Sequence, residues 1–122
     1  MRIRRKNLAP GEALRWYRYD CDKRGAEVRD YVWMLSYEQY TNITSQPCSY
    51  CGLEPQRLSY PSKTLSSCLF TGIDRVDNNR GYWMDNVVPA CFNCNQAKHT
   101  KTYDEFMAWI IRVFTFQRKR LE

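Results

Sequence analysis

A chain of 122 residues with a formal net charge of +6 has the length of one domain, and its basic balance points to an anionic partner, nucleic acid first. No stretch reaches the ~18 consecutive apolar residues that a membrane span needs, so no membrane partner is expected. The basic start has no apolar run behind it and is not expected to be a secretory signal, so an intracellular, cytoplasmic setting is predicted.

Residues 1–11 carry Arg2, Arg4, Arg5 and Lys6 and little that could be buried, and read as a basic arm suited to phosphates. Residues 12–122 form the single domain. A helix is predicted from Glu12, with Leu14, Tyr17 and Cys21 on one face and Gly25 as its stop. On that face Cys21 is a small buried hydrophobe. Residues 28–35 alternate loosely through Val28, Asp30, Val32 and Met34 and predict a short strand. Ser36 and Gln39 have the spacing of a capping box, opening a short helix that stops before Pro47.

The next stretch is Pro47-Cys48-Ser49-Tyr50-Cys51-Gly52, where Gly52 permits a tight turn. Residues 53–67 read as a surface excursion. Residues 68–76 are the best strand in the chain, although Cys68 within it has no assigned role. Turn formers fill residues 77–81, a second strand starts at 85–89, and the Cys91-Phe92-Asn93-Cys94 pair opens a helix running to about His99. The last segment begins with a second capping box at Thr102 and Glu105. Behind it Phe106, Trp109, Ile110, Val113 and Phe114 form a stripe expected to be core, followed by the basic tail Arg118-Lys119-Arg120.

Two kinds of metal signal lie in this order of elements. Four of the six cysteines form two C-x2-C pairs, Cys48 with Cys51 and Cys91 with Cys94, a pattern that favours one structural Zn²⁺ over disulfides in a reducing compartment. Around the second pair gather Asp74, Arg75, Asn86, Asn95, Lys98 and His99, whose hard oxygens suit Mg²⁺ or Mn²⁺ and whose basic groups suit phosphate. The fold class is therefore α+β, a zinc-stapled ββα finger with flanking helices. Taken singly, Asp74 also suits a strand-end turn cap, Asn95 a helix cap, and Tyr50 packing on the knuckle.

Over residues 47–110 the motifs C-x2-C-G, I-D-R-x-D-N followed by G-Y, D-N-V-V-P and C-x2-C-N-x2-K together resemble the HNH, or ββα-metal, endonucleases. The arrangement is most similar to small phage and mobile-element members and to a rare-cutting restriction branch. The resemblance implies a metal-dependent hydrolase of phosphodiester bonds in double-stranded DNA. It also adds the host cell of a phage as a setting, and a homodimer wherever both strands are to be cut. It places the catalytic divalent ion on Asp74 and Asn95, with His99 as a third ligand in some members, and makes Asn86 the residue that pins the loop. Arg80, Lys98, Arg4 and Arg5 are the expected DNA contacts.

At Arg75 the chain departs from the family, which mostly carries a general-base histidine there. Arginine does not deprotonate usefully but can hold a phosphate. The restriction branch with the same D-R pair uses a tyrosine of the first knuckle, matching Tyr50, whose proximity to Arg75 and a divalent ion is expected to lower its pKa. Three routes to an activated water stay open: Tyr50, His99, or no protein base. The alternative function is a zinc-stabilised DNA-binding module that has lost catalysis.

Overall fold

The computed structural model describes residues 11–59 and 67–122. Their order is α1 (Glu12–Val28), α2 (Tyr37–Thr44), β1 (Gln56–Ser59), β2 (Ser67–Phe70), β3 (Gly72–Arg75), β4 (Val87–Ala90), α3 (Phe92–Lys98) and α4 (Tyr103–Leu121), with a single 3-10 turn over Met84–Asn86. The class is α+β, as the patterning implies. Residues 1–10 of the arm expected at 1–11, Arg4 and Arg5 among them, lie outside the described residues.

Gly25 does not end α1. The helix continues for another turn and closes where the Tyr31 N–H bonds to the Ala26 carbonyl (2.9 Å) and the Asp30 N–H to that of Glu27 (3.0 Å). Asp30 takes the left-handed conformation, φ 62°, that this closure requires, a place glycine usually fills. The helix is covered on more than one side, by α2 and by β2. Its most buried residues are accordingly Leu14, Tyr19 and Ala26, while Tyr17 and Cys21 are only half-buried.

Past α1 the chain is extended but forms no named strand. It makes one parallel bridge, Trp33 to Tyr82, and its inward residues are Trp33 and Leu35, one position out of step with the predicted alternation. The bridge brings Val32 so near Gly81 that a Cβ there would lie 2.4 Å from the Val32 carbonyl oxygen, so only glycine fits. The capping box at Ser36 and Gln39 forms in full and starts α2.

The long predicted strand at 68–76 is split. Cys68 is buried in β2, which pairs antiparallel with β1 inside the stretch read as a surface excursion; β3 pairs antiparallel with β4, Asp74 opposite Val88 and Arg75 opposite Val87. The break falls at Thr71, whose N–H turns away to the Thr44 carbonyl (2.7 Å) and fastens the sheet to the end of α2. Tyr19, Trp33, Leu35, Tyr40, Ile43, Ile73 and Val87 then make one core joining the helical layer to the β3–β4 finger. Within it Tyr19 and Trp33 both donate to the Leu35 carbonyl at 2.9 Å, so their polar tips are satisfied where their rings are buried.

α4 departs most from expectation. Its capping box forms and Phe106 is buried, but Trp109, Ile110, Val113 and Phe114 are exposed. Periodicity reports that a face seeks cover; it does not report that this chain provides it.

Candidate active site

The two halves of the sulfur cluster are built by different local rules. In the first, Gly52 at φ 76° closes a turn in which its N–H bonds to the Cys48 carbonyl at 2.9 Å. In the second, Cys91 is the N-cap of α3, its Sγ accepting from the Cys94 N–H. The Ser49 N–H, bonded to the Pro89 carbonyl at 2.8 Å, holds the knuckle against β4. As a result all four Sγ atoms lie within 4.8 Å of one another, and Cys51 and Cys91 are 3.7 Å apart. Tetrahedral zinc with ~2.3 Å bonds sets its sulfurs about 3.8 Å apart, so the cluster is compatible with a structural zinc site. Burial pushes the Cys48 thiol up, but backbone N–H groups of Cys91, Cys51 and Tyr50 outweigh it and draw the pKa down to about 6, whereas burial and the neighbouring sulfurs of Cys91 and Cys51 raise that of Cys94, as four crowded thiols compete to ionise.

Beside the cluster, β3 carries Asp74 and α3 crosses it with Asn95 and Lys98. Asp74 is buried, and one of its oxygens, Oδ2, accepts from the Tyr50 hydroxyl (2.6 Å) and pairs with the Lys98 ammonium (3.1 Å). Asn95 donates its amide to the Ile73 carbonyl at 3.2 Å. Among the described residues, neither Asp74 Oδ1 nor the Asn95 amide oxygen has a protein partner. Both residues line one cleft of about 240 Å³ together with Arg75, Tyr82, Gln96 and His99. A carboxylate and an amide on one polar cleft are oxygen donors of the hard kind that divalent ions such as Mg²⁺ prefer.

Arg75 is held from three sides. Its Nη1 donates to the Asn78 and Arg80 carbonyls, both at 2.9 Å, and its guanidinium lies 3.7 Å from the centre of the Tyr31 ring. This leaves its Nε–Nη2 edge without a protein partner among the described residues. Tyr31 and Tyr82 were missed by sequence reasoning. Tyr31 lies far from Arg75 in the chain, and no spacing rule joins an aromatic residue to a cation across folded layers.

Asn86 is buried and bonds by its side chain to the Asp77 N–H (2.9 Å), the Asp77 carbonyl (3.1 Å) and the Gly81 carbonyl (2.8 Å), fastening both ends of the 77–81 loop. Asn86→Ala orphans these groups and should cost about 3 kcal/mol. Urea denaturation measures it; a loss under about 1 kcal/mol would show that other contacts hold the loop.

Three expectations are corrected by the geometry. Lys98, expected at phosphate, is 0% exposed; a buried ammonium needs a counter-charge, and it has found Asp74 rather than solvent. The Tyr50 pKa is raised rather than lowered, first by burial, then by the hydrogen bond to Asp74 and its charge. His99 stays on the cleft but ends α3 at φ 50°, with Nδ1 3.3 Å from the Thr100 hydroxyl, so it no longer continues the helical face of Asn95. Arg80 is exposed and paired with Asp85 at 2.8 Å. A larger cleft of about 680 Å³, unforeseen from the sequence, shares Ile73, Tyr82 and Asn95 with the smaller one and is lined by Arg18, Arg29 and Arg57.

A search of solved structures returns the rare-cutting HNH restriction endonuclease PacI, at TM-score 0.56 and 17% identity over 98% of this chain and 92% of that one. The fold is that of the HNH endonucleases. Two curated sequences are also similar. An SPbeta prophage protein of Bacillus subtilis, YoqL, designated an HNH endonuclease by inference, is 25% identical over 86% of this chain. An uncharacterised protein of Acanthamoeba polyphaga mimivirus is 27% identical over 67% of it. The chain spans 56% and 13% of those two proteins, respectively. No protein-family profile matches. Within the HNH fold of this chain, β3, β4 and α3 make the ββα finger, and the four sulfurs sit where the first knuckle meets α3.

Proposed function

We propose that this chain is a metal-dependent DNA endonuclease whose catalytic group is the Asp74–Asn95–Arg75–His99 cleft. The observation that carries the reading is that Asp74 of β3 and Asn95 of α3, two oxygen-bearing side chains, line one cleft beside the cationic Arg75. Asp74 and Asn95 would hold the divalent ion, which when bound supplies Lewis-acid polarisation of the phosphate and stabilisation of the leaving 3′ oxygen. The free edge of Arg75 presents two parallel N–H groups to the phosphate oxygens, where charge grows as the reaction proceeds.

Hydrolysis adds water across the P–O3′ bond: its hydroxyl goes to phosphorus, and its other proton has to be taken up. His99 lines the cleft, and its imidazole is the side chain there suited to take up that proton. Tyr50 suits the task less, because its own proton is committed to Asp74 and its pKa is raised; we assign it the orientation of that carboxylate. Duplex DNA is the proposed partner, with Arg29 and Arg57 of the larger cleft available to backbone phosphates. Among the described residues no helix is long and apolar enough to cross a membrane.

Supercoiled plasmid incubated with Mg²⁺ or Mn²⁺ tests the proposal. The wild type should relax it, Asp74→Asn and His99→Ala should each lose at least about 100-fold in rate, and Tyr50→Phe should lose far less. Undiminished cutting by Asp74→Asn would remove the reading. A second reading, DNA binding without cleavage, is favoured by one observation: two backbone carbonyls and an aromatic ring anchor Arg75, as expected of a residue kept for structure. A salt-sensitive mobility shift with plasmid left intact across a series of ions would select it.

A further inference from the structure

We infer that the apolar face of α4 is covered by the same face of a second copy of this chain, packed antiparallel. The inference stands on α4 alone and is independent of the nuclease reading. Only Phe106 of this helix is buried, against Tyr50. Beyond it Trp109, Ile110, Val113, Phe114, Phe116 and Leu121 are exposed, Phe114 at 61% and Leu121 at 89%. The 19 residues of α4 make a rod about 28 Å long, and these side chains recur along it at helical spacing. Apolar residues scattered singly on a surface need no partner, but a continuous stripe does.

The charges at the two ends of the helix select the occupant. The first turn carries Asp104 and Glu105, and the last turn carries Arg118, Lys119 and Arg120. A copy of α4 laid antiparallel about the helix midpoint sets each acidic end against a basic end, and the stripe meets itself around Val113. A parallel copy would stack three cations on three cations. A two-fold axis makes the contact self-complementary and closed, the usual form of a homodimer. Nucleic acid could meet the three basic residues but would leave Ile110, Val113 and Phe114 uncovered. One helix pair is a small interface, so dissociation on the order of 10 µM is expected, with the end charges setting orientation more than strength.

Sedimentation equilibrium of the full chain from about 1 to about 200 µM reads the mass directly. The expected result is a shift from one chain to two. Val113→Glu with Phe114→Glu should weaken association at least about 100-fold while leaving the circular dichroism spectrum, and the thermal midpoint at about 1 µM where both chains are monomers, unchanged, because both positions are exposed. Arg118→Glu with Arg120→Glu should weaken self-association about tenfold at low salt, and mixing it with Asp104→Lys should restore pairing as a heterodimer. A single-chain mass at the highest concentration overturns the proposal. So does a dimer indifferent to the Val113 and Phe114 changes, or monomeric chain whose basic end engages DNA alone. Tighter self-association by the Arg118 and Arg120 variant would overturn the antiparallel arrangement.

Discussion

Removing metal with a strong chelator, or changing Cys94→Ser, should unfold this protein rather than merely weaken it. A four-sulfur zinc site contributes on the order of 10 kcal/mol or more of apparent folding free energy, comparable to the whole ~5–15 kcal/mol by which a domain of this size is stable. The cluster also ties the knuckle around Cys48 to α3, where the Ser49–Pro89 backbone bond holds it on β4 and the Tyr50–Asp74 hydrogen bond on β3. Near-UV circular dichroism should collapse on chelation and return when Zn²⁺ is added. Some helical signal should persist in the far UV, since the capping boxes that start α2 and α4 are local. A chelated protein that melts within about 2 °C of the untreated one would show that the sulfurs are not a staple.

Lys98→Met should destabilise the fold by about 3–5 kcal/mol, and adding Asp74→Ala should restore most of that loss. Asp74 and Lys98 are both almost wholly shielded from water and sit 3.1 Å apart. Deleting either partner strands a charge in the interior; deleting both strands none, and such double removals are often close to neutral. Chemical denaturation of the two single variants and the double variant forms a cycle whose coupling term should be about 3 kcal/mol. The same cycle separates stability from activity: the double variant should be folded yet unable to relax plasmid, because the carboxylate proposed to hold the divalent ion is gone. Additive single effects would mean that the pair is not coupled.

The four-sulfur cluster was legible in the sequence because it is written locally. Two thiols two residues apart, a Gly at a tight turn and an N-cap cysteine opening a helix are each short-range statements, as are the Ser36–Gln39 and Thr102–Glu105 capping boxes. Features set by tertiary contact were not. Nothing near Thr71 announces that its N–H leaves the strand for Thr44, so β2 and β3 read as one. Glycine's helix penalty of ~1 kcal/mol at Gly25 was outweighed by packing, and the stop moved to Asp30. The partner of Lys98 was hidden for the same reason: a lysine in a basic chain reads as solvated until a buried carboxylate is placed above it.

The seating of Arg75 has a consequence for anyone who would graft the ββα unit onto another scaffold. The aromatic plate beneath its guanidinium is Tyr31, in the connector after α1, well upstream of the sulfur knuckle. A trimmed version starting at the knuckle would keep the four sulfurs and the two carbonyls that hold Arg75, yet lose the ring on which its guanidinium rests. The portable unit is therefore the finger together with the helical layer before it, and a minimal excised finger should begin no later than α1.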